Sequence, residues 1–352
     1  MADPVAPVLP ARELHRALLD RQLLLQRADV PLERAVQRMG FVQAQYAPSM
    51  YIGLWSRVAG FERAHLTAAL RERRVVQGTL LRSTIHLVAA GDWWPAALAV
   101  RAHRRKWWLR AHGGGPDLER EVASAADRTR ALLAGGPRRR AELVAALGVD
   151  SALWNGIGLW LDLVRVPPSG TWERRSADLY ALADQWLGPP PGELDEADGL
   201  ELLLRRYLGA FGPAPLGDAA NWAGVPVAAM AGTAARLDLS RFAGEDGREL
   251  LDLPGVPLPP GDRRVPVRFL PTWDAVLLAH ARRAGVLAEE HRPLLFSTKS
   301  PQSTPSFLVD GRVAGTWRFD EGRIAVRPFA ALPARVQRSV DAEAARLLDL
   351  HR

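Results

Sequence analysis

The chain contains no cysteine among its 352 residues. This absence excludes disulfides, thiolate metal ligands, iron–sulfur clusters and cysteine nucleophiles together. The eight histidines are scattered and never stand at a metal-binding spacing such as His-x-x-x-His. We therefore expect no metal ion and no other cofactor.

Lysine is almost as rare, since Lys106 and Lys299 are the only two and nearly every cation is arginine. No stretch approaches the roughly 18 consecutive apolar residues that span a membrane. The first residues lack the basic start and apolar run of a secretory signal. We expect a cytoplasmic, monomeric protein that does not bind membranes.

The charge balance is strongly basic, with a net charge of +7 and a pI of about 10.5. A basic surface suits a polyanionic partner such as nucleic acid. Arginine-rich proteins from GC-rich genomes are also basic through mutational bias, so charge alone leaves both explanations open.

The length predicts two to four domains, and Pro/Gly-rich segments separate four regions, at 1–112, 113–190, 191–262 and 263–352. In the first region, helical spacing near 14–24, 31–39, 50–58 and 65–70 precedes two extended segments at 75–77 and 84–88. Helices followed by a two-stranded ribbon are the order of a winged helix, a variant of the helix-turn-helix.

The second and third regions repeat this order. The second has predicted helices at 119–133 and 138–147, a helix capped by Asp150 or Ser151, and a ribbon at 164–166 and 180–182. The third has helices at 199–208 and 218–223, a glycine turn at Gly224, a helix from Pro226 and a wing turn at 244–247. Three such units in one chain are the main argument for DNA binding.

The fourth region is predicted to be rich in strands, at 265–270, 294–297, 306–309, 313–319 and 323–326, before a terminal helix at 333–350. Asp310-Gly311 is a typical hairpin turn. The predicted fold is mainly α with β: three tandem winged helix-turn-helix domains plus a C-terminal β-barrel or curled sheet.

Two glutamines, Gln43 and Gln45, stand two residues apart, so in an extended segment both side chains project to one side. No carboxylate is close to them in sequence. Glutamines in general are most often solvated residues or hydrogen-bond partners of the backbone, and the residues alone favour that interpretation.

A second segment, Arg82-Ser83-Thr84-Ile85-His86-Leu87, places Arg82, Thr84 and His86 on one face of a predicted strand. Such a row is suited to contacts with phosphates and sugars. The alternative is that His86 is a hydrogen-bonded strand histidine. The tryptophan pairs 93–94 and 107–108 are predicted to lie in the core rather than to stack on bases.

Four motifs together resemble the AlkZ/YcaQ winged-helix DNA glycosylases, and the resemblance covers essentially the whole chain. They are Val42-Gln43-Ala44-Gln45, Arg82-Ser83-Thr84-Ile85-His86-Leu87-Val88, Phe269-Leu270-Pro271-Thr272-Trp273-Asp274 and Val309-Asp310-Gly311-Arg312-Val313-Ala314-Gly315-Thr316-Trp317. The resemblance implies three tandem winged-helix domains and a C-terminal β-barrel. Together they would form a C shape, and its concave side would hold double-stranded DNA carrying alkylated bases.

Within that family the segment is similar to the Gln-x-Gln branch, which implies that Gln43 and Gln45 are catalytic. This branch is associated with bulky N7-guanine adducts and with interstrand crosslinks made by genotoxic natural products. We predict DNA contacts at Ser49, Arg57, Arg82, Thr84 and His86.

A glutamine amide cannot act as a general base. The reaction therefore lacks the rate enhancement of about 10²–10⁴-fold that a general base typically provides. An N7-alkylated purine compensates, because it is already cationic and leaves as a neutral base. We therefore expect the two amides to orient a water at the anomeric carbon. The scarcity of lysine predicts a monofunctional glycosylase without a Schiff-base intermediate.

Two alternatives use the same fold. The first is a non-catalytic winged-helix transcriptional regulator, which would not depend on the two glutamines. The second is a module that binds other proteins, which the high pI makes less attractive.

Overall fold

The computed structural model describes residues 6–282, 284–296 and 302–352. The first region contains the predicted helices and ribbon, together with a long helix, α5, that was not predicted. Because α5 packs against two other helices, Ser151–Trp160 and Glu196–Phe211, its sequence carries no single apolar stripe. The elements are β1 (Val8–Leu9), α1 (Ala11–Arg21), α2 (Leu32–Arg38), β2 (Val42–Gln43), α3 (Ala47–Trp55), α4 (Arg63–Arg71), β3 (Val75–Thr79), β4 (Ile85–Ala89) and α5 (Ala90–Ala111).

The second and third regions also show helices followed by a hairpin. The Asp150 carboxylate caps α8 by accepting a hydrogen bond from the Leu153 backbone N–H at 2.8 Å, as predicted. The elements are α6 (Pro116–Leu133), β5 (Arg138–Arg139), α7 (Arg140–Leu147), α8 (Ser151–Trp160), β6 (Leu163–Arg165), β7 (Leu179–Leu182), α9 (Ala183–Leu187), α10 (Glu196–Phe211), α11 (Leu216–Ala223), α12 (Val227–Ala234), β8 (Ser240–Gly244) and β9 (Glu249–Asp252). The assignment of each unit to a winged helix stays a prediction.

The fourth region forms an antiparallel sheet in the order β10-β11-β12-β13. Its elements are β10 (Arg268–Leu270), α13 (Arg292–Leu295), β11 (Ser306–Val309), β12 (Arg312–Asp320), β13 (Arg323–Pro328) and α14 (Ala334–His351). In the described residues β10 and β13 are the edges of an open sheet, so the predicted closed barrel is not found. The hairpin at Asp310-Gly311 and the terminal helix are confirmed.

The strand predicted at 294–297 is wrong. Leu294 and Leu295 belong to α13, and Ser297 lies outside the described residues. Pro293 explains the difference, because its fixed φ suits the first turn of a helix. A four-residue helix is also too short to show helical periodicity.

The wings of the first two regions combine in one antiparallel sheet of order β2-β4-β3-β6-β7-β5. The joint lies between β3 and β6, where Gln77 is opposite Arg165 and Gly78 is opposite Val164. The N-terminal strand β1 pairs instead with β8 of the third region. The division into four domains stays a prediction, but the predicted boundary at 112 separates strands of a single sheet.

The core confirms the prediction for Trp93, Trp94 and Trp108, which are all buried. Trp107 contradicts it, because 59% of that residue is exposed. Among the described helices none is long and apolar enough to cross a membrane alone, while α7 and α8, bent by 103°, pass the length and composition test only as a pair.

Candidate active site and DNA interface

The two glutamines form a hydrogen-bonded pair, which we call the amide pair (Gln43 and Gln45). Gln43 lies on β2 opposite His86 of β4, and the Ala44 N–H donates to the Ile85 carbonyl at 2.8 Å. These backbone bonds hold the segment extended, so both side chains reach the same side. The Nε2 group of Gln43 donates to Oε1 of Gln45. The predicted proximity of the two amides is thereby confirmed.

The hydrogen bond leaves one face of the amide pair available. Among the described residues, neither the Oε1 atom of Gln43 nor the Nε2 atom of Gln45 has a hydrogen-bonding partner. Gln43 is half-buried and Gln45 is exposed. An acceptor and a donor are therefore free at the edge of the sheet, where a water or a sugar can approach.

The hairpin between β3 and β4 has a strained tip. Arg82 and Ser83 have φ angles of +50° and +58°, in the left-handed region that non-glycine residues seldom adopt. Because β4 begins only at Ile85, Arg82 does not share a strand face with Thr84 and His86. The prediction of one continuous row is wrong at Arg82.

The tip is held from outside by the end of α11. The Arg82 guanidinium donates to the Trp222 carbonyl oxygen, and burial lowers the pKa of Arg82. A Cβ at Gly224 would lie 2.9 Å from the Arg82 backbone nitrogen, so glycine permits this close approach. The third region thus positions a hairpin that belongs to the first.

His86 is buried, with 3% of its surface exposed. Its Nδ1 lies 3.0 Å from the Thr84 carbonyl oxygen, which only accepts, so Nδ1 carries the hydrogen. Burial, with a smaller contribution from the positive charge of Arg82, lowers the pKa of His86 to about 3. The ring is neutral at physiological pH and has little surface left for a phosphate. The structure favours the alternative interpretation, a hydrogen-bonded strand histidine.

Arg57 has no exposed surface with which to contact DNA, so the structure does not support its prediction as a DNA contact. The residue is 0% exposed, and its two Nη atoms donate to the Asp274 carboxylate at 2.7 and 2.9 Å. Desolvated arginines require such a partner. Arg57 therefore joins α3 to the Phe269–Asp274 motif.

Ser49 and Thr84 lie beside cavities rather than on an open surface. The Ser49 hydroxyl is buried, has no hydrogen-bonding partner among the described residues, and lines a cavity of about 240 Å³ with Arg175 and His351. Thr84 is half-buried and donates to the Leu81 carbonyl at 3.1 Å. Their DNA contacts stay predictions.

Gln45 opens onto a cavity of about 360 Å³, which we call the aromatic cavity. Its aromatic walls come from α5, α8 and β7, and most of its polar groups come from the sheet and the hairpin tip. The lining includes Gln45, Thr79, Ser83, Thr84, Trp107, Trp108, His112, Trp154, Asn155, Gly158, Arg165 and Tyr180. The cavity thus lies between the first two predicted domains.

The residues that sequence reasoning missed are Trp107, Arg165 and Arg175. Arg165 reaches the cavity because β6 pairs with β3, and the exposed Arg175 donates to the Tyr46 hydroxyl at 3.2 Å, next to Gln45. Both positions result from contacts distant in sequence, which no local pattern reveals. The pair Trp107-Trp108 carried no usable signal, because the equivalent helical pair Trp93-Trp94 is buried at both positions.

Metal binding and Schiff-base formation would require other side chains, namely a cluster of ligands or a lysine. Within the described ranges, no group of three or more His, Asp and Glu side chains is arranged to hold a metal ion. Lys106 is exposed on α5 and does not line the aromatic cavity. Lys299 and residues 1–5 lie outside the described residues.

The chain is similar to known proteins over nearly its full length. Residues 36–350 match the family described as DNA glycosylase AlkZ-like. The interstrand DNA cross-link repair glycosylase of Streptomyces sahachiroi is 25% identical over 365 aligned positions, covering 95% of this chain and 94% of that relative. The solved Streptomyces sahachiroi DNA glycosylase AlkZ has a TM-score of 0.81 at 22% identity, covering 97% of each chain.

The match to the solved structure establishes the fold, and the family match defines the class of protein. The chain is a DNA glycosylase, an enzyme that hydrolyses N-glycosyl bonds in DNA repair. It belongs to the AlkZ-like DNA glycosylase family. The comparisons do not favour the alternative of a non-catalytic regulator.

Proposed function

We propose that this enzyme hydrolyses the N-glycosidic bond of N7-alkylated purines in duplex DNA, with bulky adducts and interstrand crosslinks as its substrates. The observation that carries the proposal is the amide pair. Gln43 and Gln45 are hydrogen-bonded to each other and to no described carboxylate, and Gln45 lines the aromatic cavity. The name of the Streptomyces sahachiroi relative, a crosslink repair glycosylase, supports the choice of substrate.

The chemistry follows from what an amide can do. Gln43 Oε1 accepts a hydrogen bond from a water and directs its lone pair toward the anomeric carbon. The carbon–nitrogen bond breaks, its electron pair neutralises the cationic purine, and the water oxygen takes its place on the sugar. The proton lost by that water passes to solvent. Amide oxygens near the sugar also stabilise the positive charge that develops there.

The internal hydrogen bond gives each glutamine a separate task. Because Gln45 Oε1 accepts from Gln43 Nε2, the Gln43 amide is held through its nitrogen and its own oxygen takes no part in the pair. Gln45 thus orients Gln43, and its free Nε2 remains a donor for the sugar or the phosphate. We propose Thr84 and Arg82, at the hairpin tip, and Ser49, in its neighbouring cavity, as further DNA contacts.

The enzyme is proposed to be monofunctional, since no described lysine lines the aromatic cavity. The test follows the products formed from duplexes that contain 7-methylguanine or an N7-guanine interstrand crosslink. The expected products are free base and an intact strand with an abasic site. Strand nicking or a borohydride-trapped covalent complex would contradict monofunctional hydrolysis, and release of no base from either duplex would contradict the proposed substrate class.

A further inference from the structure

Trp107 is the unusual residue of the aromatic cavity. The other three tryptophans of α5 are buried, whereas Trp107 is 59% exposed. The buried ones are Trp93, Trp94 and Trp108. It lines the aromatic cavity and also a second cavity of about 300 Å³ with Arg82 and Arg104. An indole held at the rim of a cavity, close to arginines, presents a flat face on which another ring can stack.

Arg165 supplies an independent observation inside the same cavity. It is only 9% exposed, and its guanidinium lies 5.0 Å from the centre of the Tyr180 ring. One Nη atom donates to the Thr79 hydroxyl at 3.2 Å, while the buried Nε has no partner among the described residues. A buried arginine is normally paired with a carboxylate. Here no described carboxylate pairs with it, and its partners are the Thr79 and Tyr180 side chains. Because a guanidinium has five N–H donors, Nη donors remain for a ligand with acceptor atoms.

The cavity also has room for a ring. Its volume of about 360 Å³ lies within the range of about 300–1,000 Å³ typical of small-ligand sites. Gly158 of α8 lines it, and a Cβ added there would meet no atom within 4 Å. The helix therefore leaves open space at this point of the wall.

We infer that the aromatic cavity binds a flat, unsaturated ring of the DNA lesion, stacked on Trp107 and hydrogen-bonded by Arg165. This inference rests on the proposed function and specifies how the lesion is recognised. Two sources supply such a ring: the alkylated purine itself, displaced from the duplex, or an aromatic group carried by a bulky adduct. Both offer a π face to Trp107 and an acceptor atom to Arg165.

The test measures lesion preference in binding, independently of hydrolysis. The probe is a duplex with 2′-fluoro-7-methylguanine, whose glycosidic bond resists cleavage, and the reference is the undamaged duplex. If the purine is the stacked ring, Trp107→Ala is expected to lower the ratio of the two affinities by about 5- to 150-fold, the loss of one stacked ring. Trp107→Phe retains most of the preference. Both variants should fold, since the side chain is largely exposed.

A second pair of variants tests whether the open volume of the aromatic cavity, rather than the stacking face of Trp107, is needed for the lesion preference. Gly158→Leu places a side chain in the cavity and should abolish the lesion preference. Gly91→Leu is the matched control, because Gly91 is also helical and has no atom within 4 Å of an added Cβ. It lies about 24 Å along α5 from Trp107 and should leave the preference unchanged.

A further duplex, with a 2′-fluoro N7-guanine adduct bearing a polycyclic aromatic group that carries a carbonyl oxygen, identifies the source of the ring. Loss of preference on both lesions assigns the ring to the purine, and loss on the aromatic adduct alone assigns it to the adduct. The inference is overturned if Trp107→Ala weakens damaged and undamaged duplexes equally, if it changes neither lesion preference, or if the wild-type protein has no such preference.

Failure of this inference is distinct from failure of the proposed function. If Trp107→Ala and Gly158→Leu keep the lesion preference while the wild-type enzyme still releases 7-methylguanine, only the inference is wrong. If the wild-type enzyme releases no base but its lesion preference depends on Trp107, only the proposed hydrolysis is wrong.

Discussion

Two arginines with very different surroundings show how far a residue type determines its role. Arg57 is enclosed and bound to Asp274, whereas Arg175 is exposed beside Tyr46. Both are arginines within the same basic chain, and sequence alone predicted a DNA contact only for the enclosed one. Burial, which depends on the folded chain, separates a structural ion pair from a cation that is free to meet a phosphate.

The Arg57–Asp274 pair should contribute to stability and not to DNA binding. Arg57→Met leaves the Asp274 carboxylate buried without its partner, which is expected to lower the free energy of unfolding by about 3–5 kcal/mol. Urea denaturation measures this change. The double variant Arg57→Met/Asp274→Leu should recover part of the loss. A weakened affinity for DNA in the fully folded single variant would instead restore the original prediction for Arg57.

His86 should make the protein less stable in acid. Its pKa of about 3 in the folded state lies below the ordinary value of about 6.5, so the unfolded chain binds a proton that the folded chain does not. The stability that the folded protein has with a neutral His86 ring is fully present above pH 6.5. It is lost as the pH falls from 6.5 toward 3, because the unfolded chain then gains a proton that the folded chain does not. Urea unfolding between pH 7.5 and pH 5 should show a smaller decline for His86→Gln than for the wild type. An equal decline would show that His86 is not the group responsible.

At the scale of elements, the tip of the β3–β4 hairpin depends on α11. Two consecutive non-glycine residues with positive φ cost on the order of 1–3 kcal/mol each. The contact of Arg82 with Trp222 and the close approach of Gly224 keep this conformation in place. The hairpin also carries Thr84 and the strand that pairs with Gln43. A substitution at the end of α11 should therefore alter the position of the amide pair.

Gly224→Ala tests this connection against a matched control. Gly224 and Gly148 both end a helix in the left-handed conformation, with φ of +76° and +67°. A Cβ at Gly148 meets nothing, while a Cβ at Gly224 meets the Arg82 backbone at 2.9 Å. Both variants should lose about 1 kcal/mol of stability through the left-handed conformation, and Gly224→Ala should lose more because the Arg82 backbone must shift. Only Gly224→Ala should also slow base excision, because it displaces the hairpin tip, and equal excision rates in the two variants would contradict the coupling.

Local sequence patterns predicted many of the helices and strands but fewer of the contacts between them. The ends of α2, α6, β11 and α14 fall within a few residues of the prediction, because helical periodicity, caps and turns are local signals. The helix α5 and the short α13 were missed, since burial on several sides and small size both remove periodicity. The pairing of β3 with β6 could not be predicted, because it depends on residues about 90 positions apart.

The candidate site likewise has one part that the sequence predicts and one part that it does not. The amide pair could be predicted, because Gln43 and Gln45 are neighbours in one extended segment and match a family motif. The aromatic cavity could not, because its walls come from the first and second predicted domains. The residues that surround the lesion in our proposal are therefore the ones that only the folded chain brings together.

At the scale of the whole molecule, the net charge of +7 predicts that binding to duplex DNA depends strongly on salt. The affinity should fall linearly with salt on a double-logarithmic plot, with a slope of about −0.9 for each phosphate neutralised. Arg175→Gln, beside the amide pair, should reduce the slope by about 0.9. Arg120→Gln, on α6 and paired with Asp117, is the control and should leave the slope unchanged; equal slopes in all three proteins would exclude a phosphate contact at Arg175.

The most direct test of the account is a double-mutant cycle on the amide pair, measured as single-turnover release of 7-methylguanine from duplex DNA. If the two amides act as one unit on one water, Gln43→Ala should slow release by about 10²–10³-fold. The double variant with Gln45→Ala should then be little slower than the single variant. Gln337→Ala, a glutamine of α14, serves as the control. A double variant that releases the base as fast as the wild type would contradict the central claim.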